Sequence, residues 1–258
     1  MNNTKFYYLY SILSITALSF FNPILYIYLL SKDFSFTEVG LYLSIFWLVS
    51  FMTELPCGAI TDNIGAKNSI LLSVVFRVVG LILLLSNSLI LLYISAILSA
   101  IAESFQSGTL TSWLVNVNNK NNEEIDIDKV LSRSSLYSLF FSAVIGFVSA
   151  KYVYVYFKSL SIILSMSVFI ISFLFTYLFM QKLEQTQKIS IENLKGSIVT
   201  VKNSLKETLY VKSSVFLMVL FVIPSILDLG PSNQWQAVFE KLDADIIGYI
   251  WVGISVSG

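Results

Sequence analysis

The sequence predicts an all-α polytopic membrane protein, and three observations carry that reading. Hydrophobic residues make up 56% of the 258 positions and charged residues only 12%, with a mean hydropathy of +0.77. A soluble domain carries about twice that charged fraction. Several apolar runs reach the roughly 20 residues that a helix needs to cross a bilayer. The basic residues, finally, alternate between rich and poor connections, as they do in multi-pass proteins.

The runs fall in order. A first helix is expected over residues 6–30, with Asn22-Pro23 inside it. A second covers 36–60 and a third 68–85. A fourth covers 89–115 and is followed by the polar loop NVNNKNNEEIDIDK. A fifth covers 133–157 and a sixth 159–180. A longer polar stretch, 181–212, precedes a seventh helix over 213–229. A last apolar run begins at Ile246 and stops at Gly258, the end of the sequence. At 1.5 Å per residue that run spans only ~20 Å of a ~30 Å hydrocarbon core. The chain therefore reads as six helices in 1–180, a linker in 181–212, and the start of a further bundle in 213–258, truncated within an eighth helix.

The lysines orient it. With the N-terminus in the cytoplasm, the inner segments hold Lys5, Lys67, Lys120, Lys129, Arg133, Lys182, Lys188, Lys195, Lys202, Lys206 and Lys212. The outer segments hold only Lys32, Lys151, Lys158 and Lys241. One missed helix would scramble this bias. The expected location is the cell membrane, with the lipid bilayer as partner. In the linker, Leu194, Ile198, Val201, Leu205 and Leu209 share one helical stripe flanked by lysines. Such a helix suits the inner membrane surface.

Several function classes fall away. The formal net charge is zero, which suggests no nucleic-acid partner. There is no histidine, so the commonest metal ligand and general base are missing. Cys57 is the only cysteine. No nucleophile–base pair, phosphate loop or metal-ligand cluster is present, so neither an enzyme nor a cofactor is expected. The acidic loop residues Glu123, Glu124, Asp126 and Asp128 are of a type that binds divalent cations, but nothing in the sequence fixes their geometry, and they read as solvated.

The most specific stretch is residues 54–67, ELPCGAITDNIGAK, a short polar break between the second and third helices. Pro56 lacks an amide donor and is expected to distort the end of the second helix. Gly58 and Gly65 allow a turn or a close helix approach. Gly58, Asp62, Gly65 and Lys67 have the spacing Gly-x-x-x-Asp-[Arg/Lys]-x-Gly-[Arg/Lys]-[Arg/Lys]. This loop resembles that of the major facilitator superfamily, and the prefix Glu54-Leu55-Pro56 resembles its drug-efflux members. Asn63 and Ala66 stand where a basic residue is usual. The resemblance implies two six-helix bundles and a substrate held between them at the membrane midplane. It also implies a cytoplasmic gate in which the loop aspartate, here Asp62, pairs with basic residues and with a helix of the second half. A small solute is then the expected partner, with a coupling proton as a further candidate. Drug or amphipathic-compound efflux is the analogous activity. The alternative is a truncated membrane protein that does not transport, or a partner subunit.

Charges inside membrane helices cost about 2.5–3.5 kcal/mol each on insertion scales, so they need a reason. Arg77 in the third helix and Glu103 in the fourth fall at similar depth on antiparallel neighbours. They are expected to pair, either for packing or as a proton or substrate site. Gln106 is the one match to the family's Arg-x-x-Gln-Gly pattern in this helix, and Glu103 stands in the arginine's place. The fifth helix has Gly146 but lacks the Gly-Pro signature that drug antiporters of the family carry. Asn22 and Pro23 have a faint counterpart at Pro224, and proline-broken helices at matching positions of two halves point to transporter binding sites. Asp228 lies four residues after Pro224, at the cavity or the interface. Trp113 and Trp235 read as interfacial anchors.

Overall fold

The computed structural model describes residues 2–121, 125–183, 210–216, 219–220, 235–236 and 246–257. Six helical spans among them are long and apolar enough to cross a membrane: Asn3–Leu30, Phe36–Ile64, Ala66–Leu84, Leu89–Asn121, Ile127–Tyr156 and Leu160–Phe179. They correspond one to one with the six runs read from the sequence. The linker stripe in 184–209, most of the seventh helix, Pro224 and Asp228 lie outside the described residues.

The first span is not one helix. α1 (Asn3–Phe21) starts on Asn2, whose side chain accepts from the Thr4 amide. It gives way to a 3-10 turn over Asn22–Ile24 and restarts as α2 (Leu25–Leu30). Pro23 has no amide to donate and its ring crowds the preceding turn, so the ladder cannot run through it. α3 (Phe36–Ile64) opens with a reciprocal cap between Ser35 and Glu38. α3 passes through Pro56, as its expected span over 36–60 requires, and runs four residues beyond that span, to Ile64. One missing bond is tolerated in a long membrane helix whose neighbouring bonds persist. Gly65 makes the turn instead, at φ +84°, where a side chain would be strained.

α4 (Ala66–Leu84) and α5 (Leu89–Gln106) form the most extensive pairing, and α3 packs on α5. The fourth span breaks at Ser107-Gly108, with Gly108 at φ +65°, and resumes as α6 (Thr109–Asn121). Helix thus occupies much of what the sequence suggested was loop. α7 (Ile127–Val148) likewise starts before residue 133, because Asp126 caps it by accepting from the Lys129 amide. A π-helical turn, Ser149–Val153, leads into the single turn α8 (Tyr154–Tyr156). α9 (Leu160–Phe179) packs on α1 and α4, and α10 (Ile246–Ser257) packs on α7.

Small residues set these contacts, as they do where hydrocarbon is the solvent. Ser165 donates to Ala17 O at 2.6 Å, Ser95 to Gly80 O at 2.8 Å and Ser69 to Phe105 O at 3.0 Å. A Cβ at Gly80 would come within 2.7 Å of Ser99 Oγ and 3.3 Å of Ser95 O, so a side chain there would displace Ser99 and crowd the α4–α5 contact. Outward faces carry large apolar side chains, among them Leu48, Phe51 and Met52 on α3 and Ile170, Ile171 and Leu174 on α9.

Two lysines close the far ends of other helices. Lys32 Nζ donates to Leu84 O, Leu85 O and Ser86 O at the C-terminus of α4. Lys67 Nζ donates to Tyr177 O and Met180 O at the C-terminus of α9. Each satisfies carbonyls that have no partner in their own helix and places positive charge at the negative end of the dipole. Burial lowers the Lys32 ammonium below the ordinary lysine range.

Candidate functional site: a central cavity

A cavity of ≈ 390 Å³ lies among α1, α2, α3, α4, α5 and α10. Its volume is at the lower end of ligand-sized pockets. Aromatic side chains dominate its wall: Phe21, Tyr26, Tyr42, Phe46, Trp47, Trp235 and Trp251. Trp235 and Trp251 stack with centroids 6.5 Å apart. Trp235 is therefore part of the cavity wall.

Arg77 and Glu103 supply the cavity's charge. Arg77 Nη2 donates to Glu103 Oε2, so the two charges at matching depth do meet. The pair is asymmetric: the Arg77 side chain is 4% exposed and that of Glu103 is 44% exposed. The guanidinium is thus the buried anchor, and the carboxylate is the group presented to the cavity. Arg77 Nε has no hydrogen-bond partner among the described residues. The wall carries no net charge here, yet it keeps free acceptor capacity on Glu103 and one donor on Arg77.

The Pro23 break reaches the same cavity, which Asn22 lines while Pro23 is buried beneath. In a continuous helix the Tyr26 amide would donate to Asn22 O. Here the carboxamide of Gln236 stands between them. Tyr26 N donates to Gln236 Oε1 at 2.9 Å, and Gln236 Nε2 donates to Asn22 O at 2.9 Å. Sequence reasoning passed over Gln236. It lies more than 200 positions from its partners, and no periodicity or motif marks it.

Other expected site residues lie elsewhere. Gln106 donates to Ser14 Oγ at 2.6 Å and lines a separate shallow pocket with Tyr10, Ser11 and Ser14. It ties α5 to α1 and does not meet Arg77. At the other end of the bundle, Gly58, Asp62, Gly65 and Lys67 line a polar pocket of ≈ 670 Å³ with Lys120 and Lys182. Asp62 is exposed there and makes no ion pair with a described residue. Glu54 and Pro56 are exposed on α3 and do not line this pocket. A Cβ at Gly58 would meet nothing within 4 Å, so no close helix approach occurs there. Trp113 is no interfacial anchor. It is 1% exposed, packs on Phe6 and donates to Gln181 O. Among the described residues no group of acidic, cysteine or histidine side chains could hold a metal.

α10 closes the remaining wall. Trp251 Nε1 donates to Ser142 O at 2.8 Å, with its indole seated over Gly146. Lys151 donates to Tyr249 Oη at 2.6 Å and sits over the Tyr249 ring.

Six apolar, membrane-length helices, four of which line a cavity with a half-presented ion pair, define a multi-pass α-helical membrane protein. The chain belongs to the major facilitator superfamily, whose family model matches residues 7–257. It is 26% identical over 255 residues to an uncharacterized MFS-type transporter, YxaM, of Bacillus subtilis (strain 168). That alignment covers 95% of this chain and 61% of the relative, so the chain spans about three fifths of the relative's length. Its fold is similar to that of the crystal structure of the nucleoside transporter NupG, at TM-score 0.74 and 13% identity. The match covers 100% of this chain and 64% of that one.

Proposed function

We propose that the protein is a secondary transporter, moving a small, compact, amphipathic solute by alternating access. Glu103, held by Arg77, is its central polar contact. The observation that carries this reading is the pair itself: a charge that costs energy to bury is presented to a ligand-sized aromatic cavity. Aromatic walls favour flat or apolar bodies, and the Glu103 carboxylate favours a donor group on the solute. Glu103 is also the group placed to take up a coupling proton, which would release Arg77. The family and the transporter relative support carriage of a small solute; efflux is the analogous direction. On this reading residues 1–180 form one bundle, 181–212 a cytoplasmic linker and 213–258 the start of a second bundle. The N-terminus is cytoplasmic, and Asp62 works as the inner gate.

Flux in proteoliposomes tests it, with the wild-type chain in its full natural length and a panel of aromatic amphipathic solutes. Saturable wild-type flux that falls at least several-fold in Asp62→Asn, at equal protein level, is the expected result. Unchanged flux in Asp62→Asn would remove the gate. No saturable flux for any solute would remove the transporter reading for that panel's chemistry.

A further inference from the structure

The Pro23 break leaves two backbone groups without each other, and both lie beside the cavity. Side-chain insertion into the i→i−4 ladder is one of the recognised causes of a helix kink. What is unusual here is the origin of the inserted group. Gln236 lies in the stretch between the sixth span and α10, more than 200 positions along the chain from α1 and α2. It is only 5% exposed, and both ends of its carboxamide are used. Within a membrane, neither the Tyr26 N–H nor the Asn22 carbonyl can be left dry and unpaired without a cost of several kcal/mol.

We propose that Gln236 is a removable splint for the broken first span, and that it holds shut the end of the cavity near Ser31 and Lys32. The inference rests on the alternating-access reading above. With the carboxamide in place, both backbone groups are paired and that end of the cavity can be closed and dry. When the Gln236 carboxamide withdraws, Tyr26 N–H and Asn22 O need new partners, and water entering from that end supplies them. The splint thus links closure to dehydration: removing it raises the cost of the closed, dry state and leaves the open, wet state unaffected. Gln236 is a positioning residue in this scheme.

Sided thiol labelling reads this directly. Cys57, the only cysteine, is replaced by alanine, and Leu43→Cys is introduced as a reporter in the cavity wall. A membrane-impermeant maleimide is then applied to the membrane-inserted protein from the Ser31–Lys32 side. Gln236→Leu, which removes both hydrogen bonds, is expected to raise the labelling rate several-fold. Gln236→Glu keeps the acceptor for Tyr26 N–H but, when ionised, cannot donate to Asn22 O; it is expected to raise the rate as well. It decides the matter if the leucine variant fails to fold. Labelling at the wild-type rate in every variant that folds would overturn the proposal, as would a wild-type protein already labelled at the fully exposed rate. Wild-type flux with unchanged labelling sinks the splint alone. Raised labelling in a protein without flux sinks the transporter reading and leaves the splint standing.

Discussion

At the scale of single residues, Arg77 and Glu103 show why a buried charge must be judged together with its partner. Arg77 is enclosed, so deleting Glu103 leaves an uncompensated guanidinium in apolar surroundings, a loss of about 3–5 kcal/mol for a fully buried pair. Glu103 is nearly half exposed to the cavity, so deleting Arg77 should cost less. Arg77→Met and Glu103→Gln are each expected to lower thermal stability, with Glu103→Gln the more damaging. The double variant should recover part of the loss, because it buries no orphan charge. A double-mutant cycle on Tm measures the coupling; a coupling near zero would show that the two do not interact in the membrane. The pair was legible in the sequence because two opposite charges lie within adjacent antiparallel helices, and their long side chains bridge the remaining difference in depth. Gln106 shows the limit of the same reasoning. It was placed on the right helix, but the turn of that helix aims it at Ser14, and hydropathy carries no information about azimuth.

At the scale of elements, apolar length fixed the number of spans, while their ends and breaks depend on chemistry that hydropathy does not weigh. α7 begins at Ile127 because the Asp126 cap acts beyond the apolar run, and α6 runs to Asn121 although its asparagines are weak helix formers. Pro23 announced its break; the kink at Gly108 and the π turn at Ser149–Val153 did not. Gly146 was read only as the lack of an antiporter signature, yet it is the seat of Trp251. A Cβ there would lie 2.0 Å from Trp251 Nε1. Gly40, also in a membrane helix, would have nothing within 4 Å of an added Cβ. The two alanine substitutions should therefore differ in sign. Gly146→Ala is expected to lower stability by about 1–3 kcal/mol through overpacking, while Gly40→Ala should be neutral or gain up to about 1 kcal/mol from helix propensity. Tm in detergent checks both. A Gly146→Ala variant as stable as wild type would show that α10 does not rest on α7 as described.

At the scale of the whole molecule, the two ends of the bundle differ in kind, and that difference carries a prediction about sidedness. One end holds Asp62, Lys67, Lys120 and Lys182 around a polar pocket; the other holds Lys32, sunk against the C-terminus of α4. Lys32 donates to three carbonyls there, as Lys67 does to two at the Asp62 end, and each keeps its charge. The basic excess counted along the sequence lies at the Asp62 end. Because positive charge near helix ends is retained on the cytoplasmic side, that end should face the cytoplasm, together with the N-terminus. Single cysteines in a Cys57→Ala background test it: Asn87→Cys, between α4 and α5, and Asn119→Cys, near the end of α6, both at exposed positions. In intact cells an impermeant maleimide should label Asn87→Cys, and label Asn119→Cys only after permeabilisation. The reverse pattern would invert the molecule, put the Gln236 splint at the inner end of the cavity, and remove Asp62 from the cytoplasmic gate.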